Sequence, residues 1–359
     1  MNTLSESIAN RHRQRLWTLI ILAIGLLISL IMGLAIGPLQ IPATTVISIL
    51  ADLINPFVER QHDHVQETVV QSLRGPRVLL GMIVGAALAV AGACFQALFR
   101  NPLADPGVIG VSAGAATAAV TYIVVGQQFI ITLFGYAPVY GLPISAMLGA
   151  LLSVYLLYLF ANRASGIDVA TLLLAGIAVN AFCAAITGVL VFISDDQQLR
   201  ELTFWTLGSL ARAQWEAVLP AFLWIMITLL ILITRGKALN ALALGEADAF
   251  HLGFNVQRLK QILILFGAAS VGAAVALTGV IGFIGLVIPH IVRLLIGADN
   301  RYVLPGSAIA GAGLILLADL LARIIVQPTE MPIGIITSIL GAPFFLYLLR
   351  KRNLIGLPS

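Results

Sequence analysis

The run KQILILFGAASVGAAVALTGVIGFIGLVIPHIVRLLIG, residues 260–297, carries a formal charge only at its first residue, Lys260, and at Arg293. Drawn as one helix at 1.5 Å per residue it would be roughly 57 Å long, about twice the thickness of a bilayer core. The run therefore folds back on itself, and Gly279, Gly282 and Gly285 supply the expected bend. Two spans lie where hydropathy alone draws one.

The same ruler of about 20 apolar residues per crossing divides the chain into ten spans: 16–36, 77–99, 108–126, 141–161, 169–193, 216–234, 260–280, 281–297, 304–326 and 332–349. The predicted fold is all-α, a polytopic membrane protein with about ten transmembrane helices in a compact bundle. Composition agrees. Of 359 residues, 60% are hydrophobic and 10% charged, and the mean hydropathy is +1.02. A soluble domain carries about a quarter of its residues as charges, so lipid is part of this chain's solvent. The stretch 16–36 follows Arg11, Arg13 and Arg15. It exceeds the ~7–15 residues of a signal-peptide core, no A-x-A site follows, and it is expected to stay in the membrane. The organisation expected is a tail over 1–15, a ten-span domain over 16–349 with a long loop at 235–259, and a second tail over 350–359.

Positive charge orients the bundle. With the N-terminus cytoplasmic, fourteen Arg and Lys residues fall inside, among them Arg11, Arg100, Arg235, Arg258, Lys260 and Arg350, and six outside: Arg60, Arg74, Arg77, Arg200, Arg212 and Arg323. Both termini are then cytoplasmic. The basic residues form no stripe, which argues against nucleic acid as a partner.

Residues 84–92 read VGAALAVAG and residues 271–279 read VGAAVALTG, identical at six of nine positions. Five spans separate the copies, so the blocks they open face opposite ways, as in the inverted repeats of transporters. Gly81-x3-Gly85 and Gly110-x3-Gly114 have the small-x3-small spacing of closely packed membrane helices.

Polar features are few. The loop sequence GEADAFHLGFNV places a short helical stretch, Glu246 to Leu252, between Gly245 and Gly253, with Phe250 and Leu252 as apolar residues on a solvated loop. It reads either as an ordinary surface helix or as a docking knob, since helix-in-groove contacts use such anchors. Arg74 and Arg77 open the second span, where the helix dipole favours anions. Headgroup snorkelling is the plain explanation for them, an acidic partner the functional one. Asp319 lies four residues before Arg323 and is expected to pair with it. Asp105, in NPLADPG (101–107), is expected to cap backbone N–H groups rather than carry protons. His62-Asp63-His64 could hold a metal or haem iron, but two histidines with no third ligand favour the plain surface reading, and no metal ligand is assigned. Cys94 and Cys183 sit inside apolar runs with no metal or disulfide spacing and are expected to pack as small hydrophobes. No G-x4-G-K-[ST], H-E-x2-H or G-x-S-x-G occurs, so no catalytic residue is assigned.

Three stretches carry a resemblance. RGPRVLLGMIVGAALAVAGACFQALFRNPLADPGVIGVSAGA (74–115), LGEADAFHLGFNV (244–256), and GFIGLVIPHIVRLL (282–295) with MPIGIITSILGAPFFLYLL (331–349) closely resemble the FecCD family, permeases of importers for iron–siderophores, haem and cobalamin. The resemblance covers nearly the whole chain from the first span on. It implies a homodimer or close heterodimer, two cytoplasmic ATP-binding-cassette subunits that bind ATP and Mg, and a periplasmic substrate-binding protein, with no cofactor on this chain. It makes Gly245, Glu246, Phe250, Leu252 and Gly253 the coupling element, and Arg74, Arg77 and Arg323 the docking arginines for the binding protein. It puts a short outer helix near 197–210, with Trp205 and Leu207 lining the cavity. The run SDDQQLRELTFWTLGSL (194–210) is most similar to haem-importing members, with siderophore and cobalamin as the alternatives. An ion-coupled secondary transporter is the rival class. It would place carboxylates at mid-membrane, and only Asp319 comes near.

Overall fold

The structure is a computed structural model and describes residues 2–54, 63–134, 140–163, 166–326 and 329–354. Sixteen α-helices follow in order: α1 (Asn2–Ala35), α2 (Ala43–Ile54), α3 (His64–Thr68), α4 (Gly75–Leu98), α5 (Val111–Thr121), α6 (Gln127–Phe134), α7 (Gly141–Ala161), α8 (Val169–Ile193), α9 (Asp196–Thr206), α10 (Trp215–Ile233), α11 (Gly236–Leu244), α12 (Glu246–His251), α13 (Val256–Thr278), α14 (Ile284–Ile296), α15 (Asn300–Ile324) and α16 (Ile333–Leu354). The one sheet among the described residues is a two-strand ladder, β1 (Asn162–Arg163) against β2 (Gly166–Ile167), between α7 and α8.

Among the described residues eight helical stretches are long and apolar enough to cross a membrane, and the shorter Ile284–Ile296 and Ile333–Tyr347 stand where the eighth and tenth expected spans lie. The third crossing is longer than expected. A π-helical turn, Tyr122–Gly126, joins α5 to α6 and carries the helix on to Phe134. The second begins earlier, because α3 and a π-turn at Val69–Arg74 run straight into α4. Each π-turn releases backbone groups that another element satisfies: Trp215 Nε1 donates to Gln71 O at 2.8 Å, and Gln198 Nε2 donates to Val124 O at 3.3 Å. Helix α2 was not expected. Its mean composition is apolar enough to hide in a hydropathy reading, yet it is too short to span.

Helix α4 is the centre, packed by α15, α13, α14 and α10. Its neighbours touch its backbone. A Cβ on Gly85 would stand 2.2 Å from Gly311 O of α15, and one on Gly92 would stand 1.9 Å from Gly285 O of α14. The same device joins α5 to α7, where a Cβ on Gly114 would meet Gly149 O at 2.6 Å. Without a large hydrophobic drive between helices in lipid, close backbone contact supplies the dispersion energy that holds them.

The expected fold-back is present and its details differ. Helix α13 stops at Thr278, Gly279 turns with φ 73°, and Phe283 at φ 68° starts α14. Gly285 lies inside α14 and serves the close approach to Gly92, not the bend. Pro289 cannot donate to the carbonyl four residues back, and Gln96 Nε2 of α4 reaches that group, Gly285 O, at 3.3 Å. The repeat copies at 84–92 and 271–279 sit on α4 and α13, which pack against each other. They run antiparallel, because Gly81 near the start of α4 and Thr278 at the end of α13 both lie by the segment Ser209–Leu210.

Candidate functional site

The three arginines expected to face a docking partner turn inward. Arg74 is buried, and its Nη1 donates to Leu34 O at 2.7 Å and Ala35 O at 2.8 Å, while Nη2 donates to Leu39 O. It closes the end of α1, whose last carbonyls have no partner in their own helix. Arg77 makes a fork with Asp319, Nη2–Oδ1 at 2.8 Å and Nε–Oδ1 at 3.0 Å, and its Nη1 meets Glu330 Oε1 at 2.9 Å. Arg323, also buried, reaches Asp319 Oδ2 with Nε at 3.1 Å and donates to Ile36 O and Gly33 O, each at 3.1 Å. The expected Asp319–Arg323 pair is thus present, with Arg77 as a third member. The dipole argument for an external acidic partner fails on two counts. Arg74 lies within the continuous helical run His64–Leu98 rather than at a free N-terminus, and internal carboxylates and carbonyls already engage all three guanidinium groups, with Arg323 Nε ion-paired to Asp319 but without a hydrogen-bond partner of its own.

Near the same end, α9 opens with a capping box. Asp195 accepts from Gln198 N at 2.8 Å, and Gln198 Oε1 accepts from Asp195 N at 3.1 Å. Trp205 is buried in the main core, and its carbonyl abuts Gly279. Leu207 is half-buried, and its carbonyl accepts from Gly334 N at 2.9 Å. The turn after α9 is thereby fastened to α16 and, through Ser209 N to Thr278 O at 2.7 Å, to the end of α13. Phe204, not Trp205, is the exposed aromatic of α9.

The opposite end carries the knob. Gly245 (φ 150°) and Gly253 (φ 85°) bracket α12, and Phe254 N donates to Ala249 O at 3.0 Å in a Schellman-type close. Glu246 and Asp248 stand in its first turn, where the dipole favours them. Ala249 is the buried contact, while Phe250 is 69% and Leu252 59% exposed. Helix α11 is pinned to α15: Asn240 Nδ2 donates to Asp299 Oδ1 at 2.7 Å, and Asn300 N donates to Asn240 Oδ1 at 2.8 Å. Asp299 also holds Arg15 at 3.2 Å and Arg301 at 2.7 Å. Its carboxyl lies well below the usual range, through the hydrogen bonds of Arg301 first and Asn240 after it.

Asp105 caps the turn Pro106–Ile109, accepting from Gly107 N at 2.7 Å, as expected, and burial pushes its carboxyl up. Asp63 caps α3 and His64 Nδ1 lies 3.2 Å from Thr68 Oγ1; His62 falls outside the described residues. Among the described residues no three His, Cys, Asp or Glu group as metal ligands. Both cysteines are buried. A cavity of about 1100 Å³ opens between α5, α6, α7 and α8, lined by residues such as Thr117, Phe129, Leu148, Leu152, Phe182 and Ile186. Two of its hydroxyls are turned back, with Thr117 donating to Ala113 O and Thr121 to Thr117 O. Neither Trp205 nor Leu207 lines it.

A many-helix membrane bundle with an apolar cavity, a buried charge cluster at one end and an exposed apolar knob at the other has the build of a transport permease. The chain belongs to the FecCD transport family, whose pattern matches residues 25–351. It is 48% identical over 282 residues to the hemin transport system permease protein HmuU of Yersinia pestis, covering 79% of this chain and 83% of that one. To the vitamin B12 import system permease protein BtuC of Serratia proteamaculans it is 44% identical over 288 residues, covering 79% and 82%. A solved metal-chelate type ABC transporter in an inward-facing conformation superposes with a TM-score of 0.79 at 33% identity, over 93% of this chain and 98% of that one.

Proposed function

We propose that this chain is the membrane-spanning permease subunit of an ATP-driven importer that carries an iron chelate, haem before siderophore or cobalamin, into the cytoplasm. The observation that carries the reading is the exposed pair Phe250 and Leu252 on a helix framed by two positive-φ glycines. An apolar knob of that kind suits a groove on a partner. The partner is a cytoplasmic ATP-binding-cassette subunit, two per complex, which holds the ATP and Mg. The knob end is cytoplasmic, as are both termini. Likeness to HmuU supports haem as cargo, and likeness to BtuC keeps cobalamin as the alternative. A second copy of this chain completes the pathway.

A periplasmic binding protein docks at the Arg74 end in this reading. Of Arg74, Arg77 and Arg323, Arg77 is the most accessible, at 12%, and it reaches the surface beside half-exposed Glu330. Acidic groups of the partner would compete with Glu330 for it. The test is reconstitution in proteoliposomes with the cassette ATPase and binding protein, offering haemin, a ferric siderophore and cobalamin separately. ATP-dependent accumulation of haemin above the other two is the expected result. Uptake driven by a proton or sodium gradient without ATP would overturn the class, and preference for cobalamin would overturn the cargo.

A further inference from the structure

Both backbone groups of Ile167 are held by one face of α13. Gln257 Oε1 accepts from Ile167 N at 2.8 Å, and Lys260 Nζ donates to Ile167 O at 3.0 Å. Ile167 pairs with Asn162 in the β1–β2 ladder, so these bonds fasten the hairpin between α7 and α8. The same ammonium donates to Glu246 Oε2 at 2.8 Å, in the first turn of α12. Its side chain is 4% exposed, against 48% for Glu246. A lysine kept for solubility sends its charge to water. This one withdraws its charge and spends its donors on two other elements, and a buried ammonium persists only where such partners replace its hydration.

We propose that Lys260 is a positioning residue that makes the α12 knob and the α7–α8 hairpin one mechanical unit. Displacement of α12 by the ATPase is thereby carried into α7 and α8, two walls of the 1100 Å³ cavity. The proposal rests on the reading of α12 as the coupling element. Removing Lys260 leaves Ile167 O and the Glu246 carboxylate without that tie, while Phe250 and Leu252 keep their exposed positions. The ATPase therefore still binds, but its stroke no longer reaches the hairpin.

The test uses the full chain co-expressed with its cassette ATPase and reconstituted, with whichever of haemin, a ferric siderophore or cobalamin the wild type takes up. Lys260→Met is expected to keep the ATPase and its hydrolysis while cargo moved per ATP falls about tenfold, the scale of one lost charge-assisted hydrogen bond. Lys260→Arg, which can span both acceptors, is expected to restore most of that ratio. Wild-type coupling in Lys260→Met, or an arginine variant no better than methionine, would overturn the proposal. If Lys260→Met does not assemble, Glu246→Ala decides: Ile167 stays held, α12 is freed, and normal coupling there overturns the link. The double variant Phe250→Asp/Leu252→Asp separates this from the underlying reading. If it keeps the ATPase and transports, the role of α12 fails and the Lys260 proposal with it. If it loses the ATPase while Lys260→Met and Glu246→Ala couple normally, only the Lys260 link fails.

Discussion

The two ends of the bundle treat the same chemistry in opposite ways. At the Arg74 end, three arginines, which the sequence offers as surface contacts, are consumed by Asp319, Glu330 and the carbonyls that end α1. At the knob end, Phe250 and Leu252, residue types expected inside, are held outside. Residue type did not predict availability; local satisfaction did. A cation near a helix end whose carbonyls lack partners finds them sooner than it finds another protein. An apolar side chain on a six-residue helix whose inner face is a single alanine, Ala249, has no core to enter.

That contrast predicts a stability-critical end and a stability-neutral one. Asp319→Asn should give the largest loss, about 3–5 kcal/mol, because two buried guanidinium groups then share no carboxylate; the fall in thermal unfolding midpoint in detergent reads it. An unchanged midpoint would mean that the charge cluster does not hold the fold. Arg74→Met comes next, at roughly 2 kcal/mol for the lost charge-assisted bonds to the end of α1. Its sign is a loosened α1, visible as faster hydrogen exchange at Leu34 and Ala35.

Asp105 sharpens the comparison from the other side, as a buried acid with a backbone N–H rather than an arginine for partner. Burial raises its carboxyl, so the folded state binds the proton more tightly than the unfolded one. Its contribution is fully present at low pH and lost as pH rises through the raised value. Asp105→Asn keeps the cap and removes the charge. The variant should therefore gain on the wild type in a melt at pH 8 and show no gain at pH 3. The smallest stability effect belongs to Phe250→Asp with Leu252→Asp, within about 0.5 kcal/mol as for exposed sites elsewhere, although capture of the cassette ATPase should be lost. A large fall in melting temperature would make the knob part of the core.

Much of the architecture was legible because lipid restricts what a chain can do. Span number followed from length, and the fold-back from the excess length of 260–297. The Asp319–Arg323 pair and the Asp105 cap followed from local rules. What stayed hidden depends on distant partners. Nothing near Arg77 in sequence announces Asp319 or Glu330, 242 and 253 residues away. The π-turns depend on Trp215 and Gln198 from other helices. Trp205 is a similar case: its pattern on α9 is amphipathic, but the carbonyl contact with Gly279 fixes which face is inward. Lys260 counted toward the positive-inside vote, whereas the folded chain withdraws it from the surface.

The glycine contacts of α4 have an evolutionary corollary. Where Gly85 and Gly92 meet the carbonyls of Gly311 and Gly285, no side chain is available to be exchanged and none can be added without parting the helices. Adaptation to a new cargo cannot be written there. It has to be written on the walls that keep side chains to vary, such as Phe129, Leu148, Leu152 and Phe182 around the cavity. Relatives that carry different chelates should therefore share the mast and differ in the panelling.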